Sequence, residues 1–382
     1  VAAGLPLAAQ TPHTVYIDAS SNNGPANWNN LSFNSPGASL ALKDSLTNAT
    51  GIRATVSVRL NGANTSGTAS PTGDAAEFAP AGGNSSYGHT NTWNGTPPIL
   101  YGEMAFSNMN PAVAYTFTFF ASRMGASDVR QTRFTVSGAN SGFADLNASG
   151  NSSEVVTVAG IYPDAAGVAV LRVEQGPLNA NPPNNFFYIT ALKIAYQDPP
   201  PTQVFIDARY DGGSLPAGWN LLDASGANAA VLTNSLGGAT GIRGLVTTPG
   251  SGNAWTTFTP TGEASEFASA GHGAAYTQGD TPCVTTFYDL KPDLAYTFTF
   301  FSNRPGVSDN RTTRYIVSGS NVGTNELNVS TNLSYVAVVS NILPSASRTI
   351  QVTFRKGTGN TANYNYLTAY KISYADNGLP AP

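Results

Sequence analysis

The charged side chains with the most regular spacing form a D-x-R-x-x-R pattern that occurs twice. Its members are Asp128, Arg130 and Arg133 in the first copy, and Asp309, Arg311 and Arg314 in the second. Because side chains alternate along a strand, the two arginines of each copy project to opposite faces. Arginine binds carboxylates and other oxygen-rich groups through two N–H bonds, so the pattern allows either a polar rim for anionic or sugar ligands or a structural ion pair. We favour structural ion pairs that fix a hairpin with the preceding aromatic strand, since sparse charges beside a core strand usually satisfy each other.

Aromatic residues in segments that differ between the two copies form a second set of candidate binding residues. They are Tyr87, Trp93 and Tyr101 in the first copy, and Trp255 and Tyr276 in the second. Rings in loops can stack on a sugar or contact a protein partner. Trp28 and Trp219, in contrast, lie between a proline and a leucine in both copies. We expect these two to be buried and to close one end of the core.

Catalytic patterns are weak. The three histidines form no HExxH or HxH arrangement, and no G-x-S-x-G or phosphate-binding loop occurs. Glu77 and Glu266 recur at matching positions, each three residues after another acid. Paired carboxylates can hydrolyse glycosides, but both segments also fit a turn followed by a short helical turn with surface acids. We predict that the protein is not an enzyme.

Metal sites also have little support. Asp18, Ser20 and Asn22 have the spacing of an oxygen-ligand loop but lack the glycine and terminal glutamate of an EF-hand. The second copy has Arg209 in place of Ser20. We therefore predict no cofactor. Backbone carbonyls of a jelly-roll module could still hold a structural calcium ion, which leaves no mark in a sequence.

Composition restricts the partners. Only 10% of the 382 residues are charged, against roughly 25% in ordinary soluble domains. The formal net charge of −4 gives no basic field for nucleic acid or an anionic membrane. The sequence contains no apolar run of 18 residues, so no membrane-spanning helix is predicted. Cys283 is the single cysteine and cannot form an intramolecular disulfide. We expect an extracellular or cell-surface protein whose Val1 follows a removed signal peptide.

The sequence that carries these candidate residues is a tandem duplication. The heptapeptide AYTFTFF at 114–120 recurs unchanged at 295–301, and matching motifs flank both copies. We place module one at 15–196 and module two at 204–374, joined by a stiff Pro-rich linker at 197–203. A C-terminal tail covers residues 375–382.

Each module is predicted to consist of short β-strands. AYTFTFF alternates aromatic residues and threonine with the period of two that is typical of a strand with one apolar face. Other β-branched runs are separated by Gly, Pro and Asn clusters. The predicted fold class is all-β, with two tandem antiparallel, jelly-roll-like sandwiches related by internal duplication.

The apolar segment 1–14 precedes module one and has no counterpart in module two. It is either a tail lying on its own domain or a strand donated to a neighbouring copy, with Val1, Leu5 and Leu7 as the assembly residues. Donation would build a homopolymer such as a fibre, a pilus-like filament or a surface layer.

The shared motifs also carry a resemblance. The succession of W-N-x-L, D-S-x(6)-G-I, AYTFTFF, D-x-R-x-T-R and L-N-x-S resembles β-sandwich repeats of the carbohydrate-binding type in secreted bacterial proteins. The resemblance covers both modules and implies the fold, but it carries over no catalytic residue. Two functions stay open: a structural subunit of an extracellular assembly, which we favour, or a polysaccharide-binding adhesion protein that uses the loop aromatics.

Overall fold

The computed structural model describes residues 12–20, 24–180, 182, 185–208, 215–222, 229–254, 258–270 and 273–375. These residues form two compact units that divide between Pro199 and Pro200. We keep the names module one and module two for them. No helix in this part of the chain has the length and apolarity needed to cross a bilayer.

Module one contains short strands and one 3₁₀ helix at Gly73–Ala81. Its strands are β1 (Pro12–Asp18), β2 (Asn29–Asn30), β3 (Ser39–Lys43), β4 (Ala49–Val58), β5 (Gly62–Asn64), β6 (Ser85–Gly88), β7 (Tyr101–Ser107), β8 (Tyr115–Phe120), β9 (Gln131–Ser137), β10 (Ser141–Asn147), β11 (Val156–Ile161), β12 (Ala169–Gln175), β13 (Phe187–Ile189) and β14 (Ala191–Gln197).

Module two repeats this succession, with its 3₁₀ helix at Gly262–Phe267. Its strands are β15 (Thr202–Asp207), β16 (Trp219–Leu221), β17 (Ala229–Thr233), β18 (Ala239–Thr248), β19 (Ser251–Ala254), β20 (Gly273–Gln278), β21 (Cys283–Tyr288), β22 (Tyr296–Phe301), β23 (Thr312–Ser318), β24 (Val322–Asn328), β25 (Ala337–Ile342), β26 (Ile350–Lys356), β27 (Tyr364–Leu367) and β28 (Ala369–Tyr374).

The strands of each module form a sandwich with the same topology. In module one the sheets have the orders β11-β8-β14-β1-β2, β10-β9-β12-β7-β4-β3 and β13-β6-β5. In module two the corresponding orders are β25-β22-β28-β15-β16, β24-β23-β26-β21-β18-β17 and β27-β20-β19. The pairings are antiparallel, except that β2 and β16 run parallel to their neighbours. The predicted fold class of two duplicated all-β sandwiches is confirmed.

The aromatic strand β8 lies inside the five-stranded sheet and supplies the centre of the core. Phe119 stacks on Phe134 of the six-stranded sheet at 4.5 Å between ring centroids, and Phe117 lies 5.6 Å from Phe106. All four rings are fully buried. Burying a phenylalanine stabilises a fold by roughly 2–3 kcal/mol, so this interlocked set contributes strongly to the sandwich.

This packing corrects one prediction, because β8 and β9 do not form a hairpin. They belong to different sheets, and β9 pairs with β10 and β12. The two strands direct their aromatic side chains at each other, so they face each other across the core rather than lying side by side.

The 3₁₀ helix of module one covers the outer face of the five-stranded sheet. Phe78 stacks on Phe120 at 5.7 Å, and buried Trp28 stacks on Tyr16 at 4.8 Å. The helix begins at Gly73, whose φ of +54° favours glycine. Module two repeats the arrangement, although Trp219 there is only half-buried. The predicted helical turns are present and Trp28 is buried as predicted, but it packs on the outer face of the five-stranded sheet and does not close one end of the core.

The ends of module one differ from the predicted boundaries. β1 begins at Pro12, within the segment 1–14 that was predicted to precede the module, and Pro12 pairs with Gln197 of β14. Because β14 extends to Gln197 and β15 begins at Thr202, the connection is shorter than the predicted linker 197–203. Asp198 is also tied to module one, since its carboxylate lies 2.8 Å from the Nε2 of His13.

Candidate functional site

In module one, the first arginine of the D-x-R-x-x-R pattern connects an acid to an aromatic ring. The Nε of Arg130 donates to both carboxylate oxygens of Asp128 at 3.1 and 3.2 Å, and its Nη1 donates to the hydroxyl of Tyr188 at 2.7 Å. The guanidinium carbon also lies 5.4 Å from the centroid of the Phe186 ring. Arg130 is thus held by Asp128 and in turn orders two aromatic side chains.

Module two repeats this chain of contacts. Arg311 donates from Nε to Asp309 at 2.9 Å and from Nη1 to the Tyr366 hydroxyl at 2.6 Å. Its guanidinium carbon lies 5.7 Å from the ring centroids of Tyr364 and Tyr366. The hydrogen bond from Arg311 is the main cause that lowers the pKa of Asp309, so this ion pair remains charged over the neutral pH range.

The second arginine of each pattern makes a separate ion pair on the outer face of the six-stranded sheet. Arg133 donates to Asp145 of β10 at 2.9 and 2.8 Å, and Arg314 donates to Glu326 of β24 at 2.6 Å. The strand alternation predicted this separation of the two arginines. The cross-strand acid partners were not predicted, since they depend on which strand lies next to β9 and β23.

Around Arg130, the structure assembles a cluster of aromatic rings at the three-stranded sheet. Tyr87 of β6 lies opposite Tyr188 of β13 in the strand register, with ring centroids 6.2 Å apart. Trp93 packs edge-on against Phe186 at 5.3 Å and against Tyr87 at 6.4 Å. Tyr87 and Trp93 keep part of their rings exposed, whereas Phe186 and Tyr188 are buried beneath them. We call Tyr87, Trp93, Phe186, Tyr188 and Arg130 the first aromatic site.

A tight turn presents Trp93. Its N–H donates to the Thr96 carbonyl at 3.1 Å, and the Thr96 N–H donates back at 2.8 Å. The two intervening residues, Asn94 and Gly95, have φ values of +46° and +78°. This is the Asn-Gly hairpin turn that suits positive φ at both positions. The ring is therefore held on a rigid turn at the rim of the site.

His89 lies under the same cluster and is fully buried. Its Nδ1 lies 2.6 Å from the Asn91 carbonyl oxygen, to which it donates a hydrogen bond. Within the described residues Nε2 has no hydrogen-bond partner. The imidazole also contacts Trp93 at 6.2 Å and Phe186 at 5.6 Å, so it supports the rings that form the site.

The corresponding cluster of module two is smaller. Tyr276 of β20 lies opposite Tyr366 of β27 in the register, with ring centroids 6.0 Å apart, and 6.1 Å from Tyr364. Tyr276 and Tyr364 are half-exposed, and Tyr366 is buried. We call these three tyrosines and Arg311 the second aromatic site. The candidate Trp255 lies outside the described residues.

The predicted binding residues thus separate into two groups. Tyr87 and Trp93 come together in one site, and Tyr276 belongs to its counterpart. Tyr101 instead lies on β7 of the six-stranded sheet, where the guanidinium of Arg172 lies 3.8 Å from its ring centroid. Sequence reasoning missed Phe186, Tyr188, Tyr364 and Tyr366. The aromatic residues that open the last strands of both modules were the available signal.

The candidate catalytic glutamates form ion pairs with lysines. Glu77 accepts from Lys193 at 2.5 Å and from the Tyr16 hydroxyl at 2.8 Å. Burial, and then the hydrogen bond to Glu77, raise the pKa of Tyr16 to about 12. Glu266 accepts from Lys371 at 2.5 Å. Both acids thus hold the 3₁₀ helix against the five-stranded sheet. The absence of enzyme activity stays a prediction.

Metal-binding geometry can be assessed only for the described part of the chain. There, no group of three or more His, Cys, Asp or Glu side chains converges on a common point. Asp18 is buried, and its Oδ1 accepts from the N–H and the hydroxyl of Ser20 at 2.9 and 2.6 Å. Asn22, the third member of the proposed loop, and Arg209, the counterpart of Ser20 in module two, lie outside the described residues. A structural calcium ion thus stays untested.

Comparison with known proteins adds little. No protein-family profile and no curated protein matches the chain. Among solved structures, the ANX1 ectodomain from Arabidopsis thaliana is 8% identical over 84% of this chain and 98% of its own, with a TM-score of 0.28. The ANX2 ectodomain from the same plant is 7% identical over 97% and 99%, with a TM-score of 0.31. A Paenibacillus xanthan lyase is 13% identical over 83% of this chain and 26% of its own, with a TM-score of 0.32. At these scores the similarities say nothing about a ligand.

Proposed function

We propose that the protein is a non-enzymatic, extracellular polysaccharide-binding protein with one aromatic site in each module. The observation that supports this proposal is the repeated Asp–Arg–Tyr chain beneath half-exposed aromatic rings. In both modules the arginine binds an acid, donates to a buried tyrosine and lies beside a second aromatic ring. Such support holds the exposed rings in one orientation, which lowers the entropy cost of binding.

The chemistry of the sites suits a sugar. The apolar C–H face of a pyranose packs on an aromatic ring, while its hydroxyl groups need polar neighbours. Trp93 and Tyr87 provide the rings in module one, and the Tyr87 hydroxyl provides a polar group beside them. The Arg130 guanidinium forms an ion pair with Asp128, so its charge is balanced within the first site.

A test compares ring-deleted variants with a matched surface variant. Purified protein is screened on a glycan array, and the affinity for the best glycan is then measured by calorimetry. We expect Trp93→Ala and Tyr276→Ala each to lower the affinity about tenfold, and the double variant to abolish binding. Tyr335→Ala removes a tyrosine of module two that is 67% exposed and should leave the affinity unchanged.

The supporting role of Arg130 is tested by a separate variant. Arg130→Gln breaks the Asp128 and Tyr188 contacts without deleting an exposed ring, and we expect it to weaken binding through module one only. A glycan array without any bound glycan, or equal affinities for the Trp93, Tyr276 and Tyr335 variants, would refute the proposal.

Self-assembly through the N-terminal segment stays a prediction. Val1, Leu5 and Leu7 lie outside the described residues, whereas Pro12–Thr14 already pair with β14 of their own module. A deletion of residues 1–11 leaves β1 intact and is therefore the sharper test. If polymers seen by negative-stain microscopy persist after this deletion, strand donation by the segment is wrong.

A further inference from the structure

The outer face of the six-stranded sheet in module two carries an open groove of about 540 Å³. Its lining combines two arginines, one acid and small polar or aliphatic side chains: Arg314, Ile316, Thr324, Asn325, Glu326 and Arg355. The groove crosses strands β23, β24 and β26 and shares no residue with the second aromatic site.

The two arginines face each other across neighbouring strands. Arg314 of β23 and Arg355 of β26 are directly opposite in the antiparallel register. Glu326 lies on the far side of Arg314, where it accepts from Nε at 2.6 Å, and the Nη2 of Arg314 donates to the Thr358 hydroxyl at 2.9 Å. Like charges at directly opposite positions destabilise a sheet.

Arg355 has no carboxylate of its own. Among the described residues it makes no ion pair, side-chain hydrogen bond or ring contact, although its side chain is half-buried. Glu326 is engaged by Arg314 and also accepts from the N–H and hydroxyl of Thr358 at 3.1 Å. One guanidinium therefore lines the groove with its donors available.

Module one shows how the same face looks when its charges are balanced. The position of Arg355 is occupied by Glu174, which lies opposite Arg133 in the register and accepts from Arg172 at 3.0 Å. Arg133 binds Asp145 as well. In module one, Arg133 and Arg172 are thus balanced by Asp145 and Glu174. In the described part of module two, Arg314 and Arg355 have only Glu326.

We propose that this groove binds the anionic group, a carboxylate or a sulfate, of an acidic polysaccharide. Arg355 and the remaining donor of Arg314 contact the oxyanion from both sides, which relieves their mutual repulsion. Thr324 supplies an exposed hydroxyl for the sugar, and Ile316 forms an apolar floor between the polar residues. The inference extends the proposed polysaccharide binding, but it depends on different residues.

The test measures binding to polymers of defined charge. Calorimetry at low salt uses polygalacturonate for carboxylate, dextran sulfate for sulfate and dextran as the neutral polymer. We expect binding to at least one anionic polymer, a decrease of about tenfold in Arg355→Glu, and weakening by added salt. Arg355→Glu places an acid opposite Arg314, as Glu174 lies opposite Arg133 in module one, and should fold; Arg355→Gln, which only removes the charge, provides a second variant.

A matched control separates the groove from general charge effects. Arg59→Glu makes the same change in net charge at an exposed arginine of module one. Equal losses in the Arg59 and Arg355 variants, or no binding to either anionic polymer, would overturn the inference. Stronger binding to poly-glutamate than to both polysaccharides would also overturn it and indicate an acidic peptide. Trp93→Ala and Tyr276→Ala leave the groove intact and should keep its binding to anionic polymers. A failure of the proposed aromatic sites can therefore be distinguished from a failure of the groove.

Discussion

The buried carboxyl group of Asp18 makes the stability of module one depend on pH. Asp18 ends β1 and is fully buried, and its Oδ2 has no hydrogen-bond partner within the described residues. Burial raises its pKa to about 6, even though hydrogen bonds from Ser20 and Gly24 act in the opposite direction. In the unfolded chain an aspartate has a pKa of about 3.9.

The sign of the effect follows from this difference. Because the folded state holds the proton more tightly, ionisation favours the unfolded chain as the pH rises from about 4 to about 6. A shift of about two pKa units at 1.36 kcal/mol per unit corresponds to about 3 kcal/mol lost by pH 7. Asp18→Asn removes the titration and keeps an acceptor for Ser20.

Urea unfolding of the full chain at several pH values between 4 and 8 tests this reasoning, with the transition of each module fitted separately. We expect the free energy of unfolding of Asp18→Asn, relative to the natural protein, to rise by about 2–3 kcal/mol across this range. Asp44→Asn is the matched control. Burial alone would raise the pKa of Asp44, but hydrogen bonds from Asn48, His13 and Leu46 outweigh it and lower the pKa.

The control should therefore show the opposite trend. Asp44 contributes stability above its unfolded pKa, and this contribution is lost as the pH falls through its lowered folded pKa. The loss in free energy of unfolding caused by Asp44→Asn should thus be smallest at the acidic end of the pH range. Free-energy curves for Asp18→Asn and the natural protein that run parallel from pH 4 to pH 8 would show that Asp18 is not held protonated by burial.

Three further predictions concern packing and charge. Trp28→Ala should lower the free energy of unfolding of module one by about 3–5 kcal/mol in urea titrations, because its indole is buried; a loss below 1 kcal/mol would contradict this packing. Gly319→Ala should markedly lower the melting temperature of module two by calorimetry, since a Cβ would lie 1.9 Å from the Leu343 carbonyl oxygen. An unchanged melting temperature would exclude this close approach. Glu174→Arg should place two arginines opposite each other at Arg133, lower the melting temperature of module one at low salt and increase its affinity for polygalacturonate. A variant as stable as the natural protein and without added affinity would count against the charge argument.

The features that the sequence predicted well are those set by local alternation. AYTFTFF revealed both the strand and the duplication, because the period of two and the exact repeat need no knowledge of neighbours. The opposite directions of Arg130 and Arg133 followed from the same alternation. The short helical turn before Phe78 was likewise local.

What the sequence did not reveal depends on pairing between distant segments. The hairpin expected between β8 and β9 is absent because aromatic rings of both strands meet across the core. Tyr188 could be connected to Tyr87 only once β13 was seen beside β6. Tyr101 was grouped with the loop aromatics, but it belongs to a strand, and Arg172 lies over its ring.

The pairing of the first and last long strands within each module has a consequence for biosynthesis. β1 pairs with β14, and β15 pairs with β28, so the five-stranded sheet of a module lacks a central partner until its final strand has left the ribosome. Such non-local closure delays folding and leaves apolar strand edges exposed during translation. It also places the two ends of each module side by side. We therefore expect module one to tolerate circular permutation, with new termini in the surface turn at Asn94–Gly95 and a short linker joining β14 to β1.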